Sequence, residues 1–287
     1  MNKEIKIAGK RIFYRVYGSG KPVMLVHGFG ETGEVWENKD WPPQSPPKEG
    51  LTKFQINLSD KFMFIIPDLP GSGKSEMVPD MSMQGMAEVV KTILDEENNK
   101  LSGSQIPPSG AVLIGHSMGG YITLAFAEKY QSDLSAFGLF HSTAYADTEE
   151  KKETRRKGIE FIKQHGAFEF LKTSTPNLFS PHTKERSPEL VNDFIQSLAG
   201  FKSEPLIAYY EAMIHRPDRI AVLKNSNVPV LFVMGEHDVA APMQDVLKQC
   251  HLPSRSFIHI LHQSGHLGML EQPEKSNRLL TEFLANV

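Results

Sequence analysis

The chain reads Gly115-His116-Ser117-Met118-Gly119-Gly120 between a β-prone run and a predicted helix, which indicates a sharp turn from a strand into a helix. Residues 111–114 are apolar and β-prone, whereas the apolar residues of 121–126 recur at helical spacing. A turn this sharp holds its serine in a strained backbone conformation. It needs small residues two positions before and after the serine, where the chain packs against itself, and Gly115 and Gly119 meet that need. The helix from Met118 directs its free N–H groups and positive end to the place where an oxyanion would form.

Short strands alternate with helices over most of the remaining sequence. The predicted strands are residues 5–7, 12–17, 22–26, 62–67, 111–114, 136–140, 228–234 and 256–261. The predicted helices, besides the one after Ser117, are residues 81–95, 243–250 and 273–285. A proline-rich loop is predicted at residues 41–48. Strands that alternate with helices predict an α/β fold with a doubly wound, mainly parallel sheet.

The alternation is interrupted after the sixth strand. No run between residues 141 and 227 has the character of a buried strand, and the apolar spacing there predicts helices. We therefore predict a core domain of residues 1–141 and 226–287 with a helical cap, or lid, of residues 142–225. A cap inserted there would cover the carboxyl ends of the strands, where such sheets bind ligands.

The composition is that of a soluble enzyme and gives no sign of a polyanionic partner. Of 287 residues, 40% are hydrophobic and 23% are charged, and the net charge of −3 argues against nucleic acid and anionic membranes as partners. No stretch approaches the ~20 apolar residues of a membrane span, and the first residues lack a secretory signal. The single cysteine, Cys250, fits a reducing compartment. We expect a cytoplasmic protein without a metal site, since no Cys/His spacing typical of metal ligands occurs.

The turn at Ser117 resembles the Gly-x-Ser-x-Gly nucleophile elbow of the α/β-hydrolase family. The resemblance covers the predicted core, about residues 5–141 and 226–286, and is weak over the cap. The segment His27-Gly28-Phe29-Gly30, after the third strand, resembles the oxyanion loop of the family. Residues 68–75 resemble a recurring family turn, which we interpret as structural support beneath the active-site loops. The resemblance implies a serine nucleophile and no cofactor.

A serine hydroxyl becomes a good nucleophile only when a neighbouring base takes its proton. The resemblance implies that His266 is this base, because the family keeps its histidine in the loop before the last helix. An acid should orient that imidazole. Asp238 and Glu236 both follow the seventh strand, and chain order does not separate them. The resemblance favours Asp238.

The resemblance also implies where the negative charge of a tetrahedral intermediate would be stabilised. The implied donors are the backbone N–H groups of Phe29 and Met118. Several apolar residues are candidates for a substrate pocket: Phe29, Trp36, Met118, Phe168, Phe170, Phe179, Tyr209 and Tyr210. From these we take Trp36, Phe168 and Tyr209 as pocket residues.

Serine at the elbow argues against two branches of the family. Enzymes that open carbon–halogen bonds or epoxides carry aspartate there, and dienelactone-type hydrolases carry cysteine. The resemblance therefore implies hydrolysis of a small-to-medium carboxylic ester, thioester or lactone. Three alternatives stay open: a C–C bond hydrolase of ring-fission products, a monoacylglycerol-type lipase, and a small-ligand signalling receptor on a hydrolase scaffold. The oligomeric state also stays open.

Overall fold

One sheet with helices on both faces forms the frame of the molecule. The computed structural model describes residues 1–37, 61–101 and 110–287, so the loop predicted at residues 41–48 lies outside the described residues. The sheet of the described residues has eight strands in the order β1-β2-β4-β3-β5-β6-β7-β8. Their bounds are β1 Asn2–Ile7, β2 Lys10–Gly18, β3 Lys21–Val26, β4 Phe62–Pro67, β5 Ala111–His116, β6 Leu134–Phe140, β7 Val230–Gly235 and β8 Ser256–Leu261.

The strand directions confirm the predicted α/β class. β1 pairs with β2, and β2 with β4, in antiparallel fashion. Every later neighbour, from β4–β3 to β7–β8, is parallel. Because parallel strands are covered on both faces, their sequences are continuously apolar, and every residue of β5 is buried.

Eleven α-helices are assigned in the described ranges. Their bounds are α1 Met83–Leu101, α2 Met118–Tyr130, α3 Glu149–His165, α4 Ala167–Ser174, α5 Pro181–Arg186, α6 Pro188–Ser197, α7 Ser203–His215, α8 Ile220–Lys224, α9 Met243–Leu247, α10 Gly268–Glu271 and α11 Pro273–Leu284. None of them is both long and apolar enough to cross a membrane.

Two apolar cores, one on each face of the sheet, explain why the fold is doubly wound. On β3, Met24 and Val26 belong to the core that also contains residues of α1 and α2. The alternate residues Val23 and Leu25 belong to the second core, with residues of α11. Successive side chains of a strand point to opposite faces, so one apolar strand supplies both cores.

Helices α3 to α8 all lie between β6 and β7, and we call residues 149–224 the helical segment. This is the region where the sequence lacks buried strands. The division into a core of residues 1–141 and 226–287 and a cap of 142–225 stays a prediction. The helical segment packs on the sheet domain through contacts such as the Tyr209 hydroxyl, which donates to the Pro70 carbonyl oxygen at 2.5 Å.

The turn from β5 into α2 is as crowded as its glycines suggest. A Cβ at Gly115 would lie 2.1 Å from the Gly119 carbonyl oxygen, and one at Gly119 would lie 2.4 Å from that of Val26. Ser117 has φ +50° and ψ −115°, a backbone conformation that non-glycine residues rarely adopt. The close contacts between backbones therefore hold the serine in a strained position.

We expect Gly115→Ala to lower the free energy of unfolding by about 1–3 kcal/mol, because the added methyl group meets backbone that cannot move aside. Gly200→Ala is the matched control, since no atom lies within 4 Å of a Cβ built at Gly200. Urea denaturation of the two variants measures the difference. Equal stability of both variants would show that the elbow has room to relax.

Candidate active site

A cavity of about 150 Å³ lies between the ends of the central strands and the helical segment. Ser117, at the start of α2, and His266, in the loop between β8 and α10, both line it. The two residues are 149 positions apart in sequence, and they meet because β5 and β8 end at the same edge of the parallel sheet. The cavity thus joins a strained serine to an imidazole.

Asp238, which follows β7, holds the imidazole of His266. Its carboxylate oxygens lie 2.9 and 2.8 Å from His266 Nδ1. An imidazole that donates from Nδ1 to a carboxylate leaves Nε2 free to accept a proton. Glu236 does not share this position, because its side chain is 41% exposed and accepts a hydrogen bond from the Gln263 backbone N–H.

The carboxylate of Asp238 is further stabilised by groups around it. Oδ1 accepts hydrogen bonds from the backbone N–H groups of Ala240 and Ala241, each at 2.9 Å. Burial alone would raise the pKa of Asp238, but His266 and a second histidine, His141, outweigh it and hold the pKa below its usual range. Asp238 is therefore ionised although it is buried.

His141, at the end of β6, was not anticipated from the sequence. Its Nδ1 lies 3.0 Å from Asp238 Oδ2, and its backbone has φ +52°. Burial lowers the pKa of His141 despite the carboxylate beside it, so the ring is neutral and donates from Nδ1. His141, Asp238 and His266 have metal-ligand chemistry and lie within 4.8 Å of one another. Both imidazoles present Nδ1 to the carboxylate, so we interpret the cluster as hydrogen-bonded rather than as a metal site.

A buried ion pair connects the loop after β3 to the serine turn. Glu31 Oε2 lies 3.0 Å from His116 Nδ1 and accepts a hydrogen bond from the Gly28 backbone N–H at 2.7 Å. His116 Nε2 lies 2.8 Å from the backbone carbonyl oxygen of His266. Both ring nitrogens of His116 thus face acceptors, which requires a proton on each.

The electrostatics agree with this charged state. Burial would lower the pKa of His116, but the Glu31 carboxylate outweighs it and raises that pKa. Burial would likewise raise the pKa of Glu31, and the charge of His116 outweighs it and lowers that pKa. The imidazolium and the carboxylate therefore keep each other ionised in the interior. Their hydrogen bonds fix the loop that contains Gly28 relative to the loop that contains His266.

The two N–H groups implied as oxyanion donors lie close to the serine. A Cβ at Gly28 would lie 3.1 Å from Cβ of Ser117, so the loop that carries Phe29 touches the serine directly. Throughout the described ranges, the backbone N–H groups of Phe29 and Met118 have no hydrogen-bond acceptor. Two unpaired donors beside the serine suit an oxyanion.

The turn at residues 68–75 lies beneath these loops, as interpreted from the sequence. The Leu69 backbone N–H donates to His27 Nε2 at 2.9 Å, and Ser72 Oγ lies 2.9 Å from the same nitrogen. Asp68 pairs with Arg15 at 2.7 Å and accepts from the Gly33 backbone N–H at 3.0 Å. These hydrogen bonds hold the loop of residues 27–33 in place on the turn of residues 68–75.

The His266 loop is also fastened to the helical segment. The His266 backbone N–H donates to the Leu178 carbonyl oxygen at 2.7 Å. Glu271, in α10, accepts from the backbone N–H groups of Gly265 and Ser180 at 2.7 and 2.8 Å. The position of the imidazole thus depends on residues of the helical segment as well as on Asp238.

None of the three predicted pocket residues lines the cavity that the described residues form. Trp36 is only 1% exposed and packs edge to face on Phe140, within the core beneath the site. Tyr209 is fully buried and turns its hydroxyl to Pro70, and Phe168 packs on the second core. Successive residues of a helix point about 100° apart, and so Tyr210, the neighbour of Tyr209, lines the cavity instead.

The cavity wall is mainly apolar, with few charged groups. Its lining residues are Phe29, Gly30, Glu31, Ser117, Tyr121, Arg155, Leu171, Ser174, Thr175, Leu178, Phe194, Leu198, Tyr210, Met213, Ala240 and His266. Sequence reasoning missed Glu31 and Arg155. A signal for Arg155 was present: it precedes Ile159 and Ile162 by four and seven positions, and so lies on the buried face of α3.

Comparisons with known proteins agree with this architecture. A family model described as the alpha/beta hydrolase family matches residues 23–279. The solved structure of a thermophilic esterase from Thermogutta terrifontis, with malate bound, is similar with a TM-score of 0.84 and 27% identity, and covers 99% of this chain and 98% of that chain.

Two curated relatives are similar over most of the chain. One is 3-oxoadipate enol-lactonase 1 of Acinetobacter baylyi, 24% identical over 231 residues, which cover 80% of this chain and 81% of the relative. The other is 2-hydroxy-6-oxononadienedioate/2-hydroxy-6-oxononatrienedioate hydrolase of Burkholderia vietnamiensis, 22% identical over 292 residues, which cover 96% of this chain and 91% of the relative.

The buried pair predicts a pH-dependent effect of Glu31→Gln. The pKa of His116 is higher in the folded protein than in the unfolded chain. The charged pair therefore stabilises the fold fully below about pH 6.5, and this stabilisation is lost as the pH rises through the pKa of folded His116. At pH 6 we expect the variant to lose roughly 3 kcal/mol of unfolding free energy relative to wild type, because a buried charge loses its partner. This loss should shrink towards pH 10 in a urea-denaturation series.

Glu34→Gln is the matched control. Glu34 lies on the same loop, is 68% exposed and contacts Arg15, whose charge does not change over this pH range. Its effect should be small and independent of pH. A Glu31→Gln loss that is constant or grows with pH would contradict the assigned charge of His116.

Proposed function

The chain belongs to the alpha/beta hydrolase family, and from this premise we propose that it is a serine hydrolase that cleaves small carboxylic esters, thioesters or lactones. One observation carries the proposal: Ser117 and His266 line the same cavity, and Asp238 binds Nδ1 of His266, which leaves Nε2 available to take a proton. The names of the relatives, which include an esterase and an enol-lactonase, support the same class of reaction.

In the proposed mechanism Ser117 is the nucleophile and His266 is the general base. His266 takes the hydroxyl proton while Ser117 Oγ attacks the carbonyl carbon, and Asp238 stabilises the imidazolium that results. The oxygen of the tetrahedral intermediate accepts hydrogen bonds from the N–H groups of Phe29 and Met118. When the intermediate collapses, His266 gives the proton to the leaving alcohol or thiol.

The second half of the reaction uses the same groups. A water molecule takes the place of the leaving group, His266 accepts its proton, and the resulting hydroxide attacks the acyl-enzyme. Collapse of the second intermediate breaks the bond to Ser117 Oγ and returns the proton to it. The acid leaves, and the enzyme is regenerated.

Cavity size supports a small substrate. Its volume of about 150 Å³ is below the range of roughly 300–1,000 Å³ that drug-sized ligands occupy. Apolar residues such as Leu171, Leu178 and Met213 form much of the wall, which favours a short hydrocarbon portion next to the reacting carbonyl. A long acyl chain of the monoacylglycerol type fits this cavity less well.

A C–C bond hydrolase is the second candidate. The relative from Burkholderia vietnamiensis, whose name describes hydrolysis of an oxononadienedioate, supports it at 22% identity. The discriminating measurement compares a vinylogous diketone with short esters at equal concentrations. Faster turnover of the diketone would favour C–C bond hydrolysis and contradict the ester proposal.

We expect Ser117→Ala to abolish hydrolysis of p-nitrophenyl esters, because no other nucleophile in the proposed mechanism takes its place. Wild-type kcat/KM should fall along a panel from acetate to decanoate, as the acyl chain outgrows the cavity. Ser197→Ala, an exposed serine of α6, is the control and should retain wild-type rates. Unchanged turnover in Ser117→Ala, or no turnover of any ester by wild type together with tight binding of a small ligand, would refute the proposal.

We expect Asp238→Asn to lower kcat by about 10⁴-fold, as the same change does in a serine protease. The amide favours the wrong imidazole tautomer of His266 and cannot stabilise its charged form. Glu236→Gln is the matched control, because this carboxyl lies on the same turn but faces solvent. A large loss in Glu236→Gln with little loss in Asp238→Asn would reverse the assignment.

A further inference from the structure

Arg155 brings a positive charge to the wall of the cavity opposite the sheet. It lies on α3, and its side chain is only 19% exposed. Arg155 lines the same cavity as Ser117 and His266, and the ester mechanism proposed above gives it no task. A long cationic side chain is costly to bury unless its charge is matched, so its partners decide what it does.

One edge of the Arg155 guanidinium is held in place, and another is left open. Nε donates to Asp147 Oδ2 at 2.5 Å and Nη2 to Asp147 Oδ1 at 3.3 Å. The guanidinium carbon lies 5.4 Å from the centre of the Tyr210 ring, which also lines the cavity. Nη1 has no hydrogen-bond partner in the parts of the chain that the structure describes, although a guanidinium has five N–H donors.

The charge of Arg155 is only partly neutralised. Asp147 also pairs with Arg216, whose Nη1 lies 2.9 Å from Oδ1. One carboxylate therefore faces two guanidinium groups, and the cluster of Asp147, Arg155 and Arg216 carries a net positive charge. Burial would raise the pKa of Asp147, but the two arginines outweigh it and lower that pKa, so the carboxylate is ionised.

Among the described residues that line the cavity, no acidic group competes for Arg155. Glu31, the acidic residue among the lining side chains, is already paired with His116. Asp238 lies behind His266 and has no exposed side-chain surface. Lys151, one helical turn before Arg155, donates to the carbonyl oxygen of Ala240 at 3.2 Å and adds a second cation near the cavity wall.

We propose that Arg155 binds a carboxylate of the substrate, so that the preferred substrates are short esters or lactones with a free carboxylate a few carbon atoms from the reacting carbonyl. This inference rests on the proposed function. An arginine held at one edge presents its remaining N–H groups in a fixed direction, which suits a planar carboxylate. Because Arg155 and Ser117 line one cavity of only about 150 Å³, the carboxylate and the reacting carbonyl of such a substrate must be close together.

The test compares substrates that differ only in this charge. Monomethyl glutarate has the carboxylate on the acyl side, 3-acetoxypropanoate has it on the alcohol side, and the corresponding primary amides are the neutral partners. We expect wild type to prefer the carboxylate of at least one pair by about 10- to 100-fold in kcat/KM, the range for a charge-assisted hydrogen bond. A ratio near one for both pairs would overturn the inference.

The matched variants are Arg155→Gln and Arg156→Gln, adjacent residues of α3. Arg156 is 51% exposed and pairs with Glu153, so its replacement should leave the carboxylate-to-amide ratio at the wild-type value. Arg155→Gln should bring the ratio to about one. The buried Asp147 carboxylate is not left without a partner in this variant, because it still pairs with Arg216. If Arg155→Gln lowers both rates equally and preserves the ratio, the residue is structural and the inference is wrong.

A binding measurement separates this inference from the proposed reaction. Glutarate should raise the melting temperature of Ser117→Ala in a concentration-dependent way and should not do so in Ser117→Ala/Arg155→Gln. Hydrolysis of neutral esters without a carboxylate preference or glutarate binding would leave the proposed function intact and refute the subsite. Glutarate binding that depends on Arg155, without any hydrolysis by wild type, would support the subsite and refute the proposed function.

Discussion

The site depends on the close approach of backbones where β5 turns into α2. With no room for a Cβ at Gly115 or Gly119, the helix starts directly against the ends of β3 and β5, and Ser117 is raised into the cavity in a strained conformation. The same approach brings together the backbone N–H groups of Phe29 and Met118, which have no acceptor among the described residues. A looser turn would lower the strain and would separate the hydroxyl from those donors.

Charges are buried around this turn in matched groups rather than singly. Glu31 and His116 keep each other ionised, and their hydrogen bonds extend to Gly28 on one side and to the His266 carbonyl on the other. Asp238 is held by a neutral His141 as well as by His266. Fixed dipoles and charges of this kind need little reorganisation when charge develops, which is the main electrostatic advantage of a preformed site.

The fold was predictable from the sequence, which also singled out Ser117, Asp238 and His266, whereas most of the cavity wall was not predictable. Continuous apolar runs mark buried parallel strands, and the glycine turn at Ser117 has few other structural uses, so the sheet followed from local patterns. The pocket residues depend on which face of each helix meets the cavity. Tyr209 and Tyr210 are chemically alike, yet Tyr209 is buried with its hydroxyl bound to Pro70, whereas Tyr210 lines the cavity. His141 and Glu31 acquire their importance from partners that are distant in sequence.

The bond from the His266 backbone to Leu178 ties the two halves of the site together. Leu178 belongs to the helical segment, whereas the imidazole it helps to position belongs to the sheet domain. A shift of the chain at Leu178 would therefore move the loop that carries His266 as well as the cavity wall. Residues of the helical segment around Leu178 and Ser180 thus have two tasks, because they border the cavity and also hold the loop that carries the imidazole.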